Sequence, residues 1–155
     1  AGLAATGALL EAAGARGVIA GQVAESSLSP GDPVERLWDV FRLKTGALFR
    51  AALCLPAIAA GSSEVDALGR LGDAFGIAFQ IADDLEDDFA TARTQFHHVA
   101  SFLDIGAARA EGHRVLRDAM GALIEPRLRT ALAPFVAELE RKLDRDNGAG
   151  ESERK

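Results

Sequence analysis

Residues 63–87 constrain the fold of this chain more than any other stretch. Ser63, followed by Glu64 and Asp66, forms a helix start. The apolar residues behind it repeat as a helix that runs to about Asp87, roughly 24 residues, long enough to cross a domain. Its interior holds Gly69, Gly72 and Gly76. A glycine inside a helix costs about 0.8–1 kcal/mol relative to alanine. Three of them at spacings of three and four therefore require a packing or ligand reason.

Around this segment the sequence reads as helices throughout. Alanine and leucine dominate, aromatics are few and tyrosine is absent, a balance that predicts an all-α fold. The 155 residues are one domain's worth and can bury a moderate core. A helix is expected over residues 2–13, stopping near Gly14, and GVIAGQVAESS is a short apolar stretch whose glycines allow close helix packing. Ser29-Pro30-Gly31-Asp32-Pro33 is a turn, with Asp32 as N-cap and Pro33 at the first position of the next helix. Lys44-Thr45-Gly46 interrupts that helix, and Pro56 implies a kink or break in the apolar stretch that follows. After a short connection at 89–96, helices are expected at about 97–120 and 127–143, separated by Glu125-Pro126. Residues 1–143 thus form the domain, and 144–155 are a polar tail expected to be disordered.

Several function classes are excluded or disfavoured. A net charge of −6 with scattered basic residues lacks the basic patch of a nucleic-acid interface. No apolar run approaches the roughly 20 residues of a transmembrane helix. No basic n-region of a signal peptide is evident either. Cys54 is a single cysteine in apolar surroundings, read as a buried thiol in a reducing compartment, so the cytoplasm is the expected location.

The chemistry concentrates at FQIADDLEDD, residues 79–88, where five acids occupy six positions. On a helix Gln80, Asp83 and Asp87 share one stripe and Asp84 lies about 100° round from Asp83. Mutual repulsion and the dipole of a helix C-terminus both oppose these anions, and a hard divalent cation would relieve both. Oxygen donors alone suit magnesium or calcium better than zinc. A solvated acidic helix end is the equally weighted alternative.

GVIAGQVAES, KTGALFRAAL and GRLGDAFGIAFQIADDLEDD, in that order, resemble the C-terminal half of the trans-isoprenyl diphosphate synthases, the polyprenyl synthetase family. The resemblance extends from about Leu3 to about Ala137, including FHHVASFLDIGAARAEG. It implies a helical isoprenoid-synthase-type bundle with only about half of the usual helices, and a prenyltransferase that condenses an allylic diphosphate with isopentenyl diphosphate. By the same resemblance Asp83 is the principal magnesium ligand, with Asp84 and Asp87 completing the Mg2+ site. Lys44 and Thr45 neutralise and hydrogen-bond the diphosphate, Gln80 is the amide on the diphosphate side, and Phe79 and Gln22 line the cavity. Lys44, Gln80 and Asp83 are the expected catalytic residues. Glu86 faces away and is expected to be solvated.

The departures matter as much. Glu25 stands where the family has an aspartate, and the usual Gly-Lys loop after the second aspartate motif is replaced by DFATARTQFHH, with Arg93 as its cation. The first aspartate motif is not among these residues. The resemblance therefore implies an incomplete or split chain that associates with itself or with another prenyltransferase chain. The alternative is a catalytically silent helical subunit that modulates a full-length prenyltransferase. Product length is not readable here, because in the family it is set near the absent motif.

Overall fold

In the computed structural model the described residues are 2–87, 95 and 97–145, and the regular elements among them are all helical. They run α1 (Gly2–Ala13), α2 (Val18–Ser26), α3 (Val34–Phe41), a π-helical turn (Arg42–Gly46), α4 (Ala47–Ala59) and α5 (Val65–Glu86). A 3-10 turn (Val99–Ser101), α6 (Ile105–Gly121) and α7 (Pro126–Leu143) complete the order. The all-α expectation holds.

α5 is the axis of the bundle. It packs against α4, the π turn, α6 and α7, and buries Leu71, Phe75, Ala78, Ile81 and Ala82 among them. A helix apolar almost all round has to be interior. Leu71 and Ile81 are fully buried, a gain of roughly 1.5–3 kcal/mol for each such side chain.

The glycines of α5 are packing glycines. A Cβ added to Gly76 would lie 2.3 Å from the backbone N and Cα of Gly46, closer than any side chain is tolerated. Gly21 of α2 makes a similar approach, its missing Cβ standing 2.4 Å from the backbone N of Lys44. Three segments distant in sequence are thus drawn to one place by backbone contact.

The Lys44-Thr45-Gly46 interruption is no break. Helix continues from residue 34 to 59, and the π turn inserts the extra residue that puts the apolar pattern out of register. Pro56 does not break α4 either. Both Pro56 and Ala52 are exposed, so the carbonyl that loses its proline-side partner faces water.

Two cap assignments fail for identifiable reasons. Asp32 accepts from the Ser29 N–H at 2.9 Å and pairs with Arg36 at 3.0 Å, closing the turn, while Pro33 occupies the N-cap position of α3. Ser63 gives way to Glu64 as the residue preceding α5, and the Ser62 hydroxyl accepts from the Glu64 N–H. The Glu64 carboxylate is buried and turned to α7, accepting from the N–H groups of Ile124 and Glu125 at 3.1 Å. It satisfies donors at a helix start where the dipole favours an anion. α6 begins at Ile105, later than the expected 97, with the Asp104 side chain capping the Ala107 N–H at 2.8 Å.

Gly76→Ala should lower stability to urea by about 2 kcal/mol, overpacking outweighing the gain in helix propensity. Gly7→Ala, with open space around it, should be neutral or stabilising. Glu64→Ala should cost about 1–3 kcal/mol in the same measurement, because it strands two backbone donors.

Candidate active site

The π turn presents Lys44 and Thr45 toward α2 and α5. The Thr45 hydroxyl donates to Gln80 Oε1 at 2.9 Å. Lys44 Nζ lies 2.8 and 2.9 Å from the two carboxylate oxygens of Glu25, and Gln22 Nε2 donates to the same carboxylate at 3.0 Å. Lys44, Thr45 and Gln80 are half-buried, whereas Gln22 is exposed and reaches the group only through Glu25. The ammonium is thereby held in a charge-assisted geometry rather than left as a loose surface lysine.

The acids that follow Gln80 divide. Asp83 faces α7, with Lys142 Nζ at 3.3 Å from its Oδ1; the same ammonium stands 4.9 Å from the centroid of the Phe79 ring. Phe79 itself packs against Phe49 at 6.1 Å between centroids, forming an apolar wall beside the polar group. Asp84 turns the other way, and its Oδ2 accepts from the Val99 N–H at 2.7 Å. Asp87, just past α5 on extended backbone, lies 3.9 Å from Nε2 of His98, whose Nδ1 is 4.0 Å from Asp84.

Burial pushes the Asp84 carboxyl up to about 7; the Val99 hydrogen bond opposes this, the Asp87 and Asp83 charges add to it, and the Lys44 charge opposes it. His98 is buried, and desolvation lowers its affinity for a proton against the pull of Asp87. Its Nδ1 accepts from the Ala100 N–H at 3.0 Å, which identifies the ring nitrogen that carries no proton.

Oxygen donors and clustered negative charge are the donor set that suits a hard divalent cation, and at Asp83 that charge is met by the Lys142 ammonium. The three carboxylates are not gathered, however. Among the described residues no group of three or more His, Cys, Asp or Glu side chains is placed to hold a metal ion. Asp88 and Arg93 lie outside the described residues.

Other sequence readings find their places. Cys54 is buried, donates to the Val65 carbonyl at 3.4 Å and has its thiol pushed up mainly by burial, as expected of a core residue. Arg114 pairs with Glu111 and Asp118 on a solvated face of α6. His113 lies 2.8 Å from Asp144, and Glu86 is exposed, as expected, with Arg145 3.8 Å away. Lys142 and His98 were missed as neighbours of the acids. The basic last turn of α7 was a weak signal for Lys142, and for His98 the sequence offers none.

The polyprenyl synthetase family matches residues 9–101, which include Gln22, the KTG turn and the aspartates. Geranylgeranyl pyrophosphate synthase 12, chloroplastic, of Arabidopsis thaliana is 39% identical over 85 residues, 51% of this chain and 24% of that protein. Farnesyl diphosphate synthase of Escherichia coli is 38% identical over 86 residues, 51% of this chain and 28% of its own length. The heterodimeric geranylgeranyl pyrophosphate synthase large subunit 1, chloroplastic, of Arabidopsis thaliana is 36% identical over 89 residues, 54% of this chain and 24% of that subunit. The matched region thus spans only about a quarter of these relatives. With the GQ, KTG and FQxxDD segments meeting at one site and the family match running through all three, the chain belongs to the polyprenyl synthetase family.

Proposed function

We propose that this chain supplies the second-aspartate wall of a trans-prenyltransferase that condenses an allylic diphosphate with isopentenyl diphosphate. The observation that carries this reading is the 2.9 Å contact between Thr45 and Gln80, which joins the KTG turn to the acidic helix as a single polar group beside the Phe79 wall. Lys44 would neutralise diphosphate oxygens, and Thr45 and Gln80 would orient them by hydrogen bonds. Phe79, with Phe49 behind it, would shield the hydrocarbon end from water. In the reaction the allylic carbon–oxygen bond breaks, the diphosphate leaves with the electron pair, the new carbon–carbon bond forms and a proton is lost. Asp83, Asp84 and Asp87 would hold Mg2+, which when bound supplies positive charge to the departing diphosphate.

The first aspartate motif is not among these residues, so in this reading the opposite wall comes from a segment or partner outside them. Leu3 and Leu10 on α1 and Ile19 and Val23 on α2 are exposed and supply an apolar surface for such a partner. That one relative is named as a subunit of a heterodimeric enzyme supports association. The reading as a silent modulatory subunit is favoured by one observation: the three carboxylates do not converge.

Labelled isopentenyl diphosphate and geranyl diphosphate should give product when the chain is mixed with a prenyltransferase chain carrying the first aspartate motif but lacking its own second motif. Neither chain should turn over alone. Lys44→Met and Asp83→Asn should each lower kcat/KM of the mixture by about 10²-fold or more. No product with the parent chain would select the modulatory reading.

Cation binding at Asp84 should also displace a proton. With its carboxyl pushed up to about 7, Asp84 is mostly protonated at pH 6, and a ligating carboxylate has to lose that proton. Magnesium added in weak buffer at pH 6 should release up to about one proton per cation, fading by pH 8.5 and absent in Asp84→Asn.

A further inference from the structure

Lys142 lies outside the matched region, which ends at residue 101, yet it makes the ion pair that engages Asp83. Several features build this contact. Asp83 sits in the last turn of α5, where the dipole opposes an anion, and Lys142 sits in the last turn of α7, where the dipole favours a cation. Lys142 and Asp83 are both half-buried, with 24% and 39% of their side chains exposed. The ammonium is also drawn to the face of Phe79.

The register of α7 is set by packing. Leu143 is fully buried, and a Cβ on Gly112 of α6 would lie 2.7 Å from its Cδ2, so the glycine lets Leu143 seat there without a shift of its side chain. One residue earlier on the helix, Lys142 is then delivered to Asp83. Three residues after Lys142, Arg145 lies 3.8 Å from Glu86, itself three residues after Asp83. Two pairs at matching spacing therefore join the end of α7 to the end of α5.

We propose that Lys142 is an intrinsic counter-ion of Asp83: it takes the place of a divalent cation at that carboxylate and has to leave it when a cation binds. The inference rests on the reading of Asp83 as a cation ligand. The group that responds is the lysine side chain, while the burial of Leu143 keeps the end of α7 in register.

Mn2+ binding, followed by the loss of the free-ion signal in electron paramagnetic resonance, tests this on the whole chain in the absence of any diphosphate. Lys142→Gln and Lys142→Met should bind Mn2+ about two- to fivefold more tightly than the parent, the range expected when a half-exposed ion pair no longer competes. Lys142→Arg, which keeps the charge, should bind as the parent does. Equal or weaker binding by both neutral variants would overturn the counter-ion while leaving the cation site standing. Tightening by Lys142→Arg as well would also overturn it, because shape and not charge would then be responsible. No binding by parent or variants would remove the cation reading together with the inference.

Discussion

The structure depends on how closely α5 lies against the π turn at Gly46 and Gly76. Two helices that meet through ordinary side chains keep their axes about 8–10 Å apart. Here a missing Cβ on Gly76 would come within 2.3 Å of the neighbouring backbone, so the segments meet main chain to main chain. Thr45 and Gln80 are near neighbours of those glycines in sequence, and this approach brings their side chains within hydrogen-bond distance. Gly21 does the same for α2, which carries Gln22 and Glu25 to Lys44. The site is a consequence of where side chains are absent.

The second organising constraint is electrostatic. Asp83, Asp84 and Glu86 crowd the end of a helix whose dipole disfavours them. Each has a different compensation: Lys142 for Asp83, the Val99 N–H for Asp84 and Arg145 for Glu86. These compensations come from α7, the residues just past it and the 3-10 turn before α6. The last two helices therefore do more than cover the core; they decide how much negative charge the end of α5 presents.

Much of this was legible beforehand, for physical reasons. Helical periodicity and the bounds of α1, α5 and α7 follow from local patterning, which does not depend on the rest of the fold. The resemblance assigned Lys44, Thr45 and Gln80 to one site; Thr45 and Gln80 meet in a hydrogen bond, whereas Lys44 is held by Glu25. What was misread involves competition between local and distant partners. Asp32 has the chemistry of an N-cap, but the nearer Ser29 N–H and Arg36 engage it. Glu64 reads as a first-turn acid of its own helix, yet it serves the start of α7 sixty residues away.

By itself the sequence determined the class of fold, because residue spacing dictates which side chains share a helix face, and the family, through the resemblance carried by its GQ, KTG and FQxxDD segments. Tertiary structure decided which partner each of those residues has. Asp83, Asp84 and Asp87 are near-identical in local sequence terms, yet one meets a lysine, one a backbone N–H and one lies near a buried histidine. The reason is that the neighbours arrive from α7 and the 3-10 turn, at positions set by the burial of Leu143 and Val99 and not by anything within the acidic motif. A motif specifies charge and face; the packing of the elements around it determines whether that charge is open to a cation or already answered by the protein.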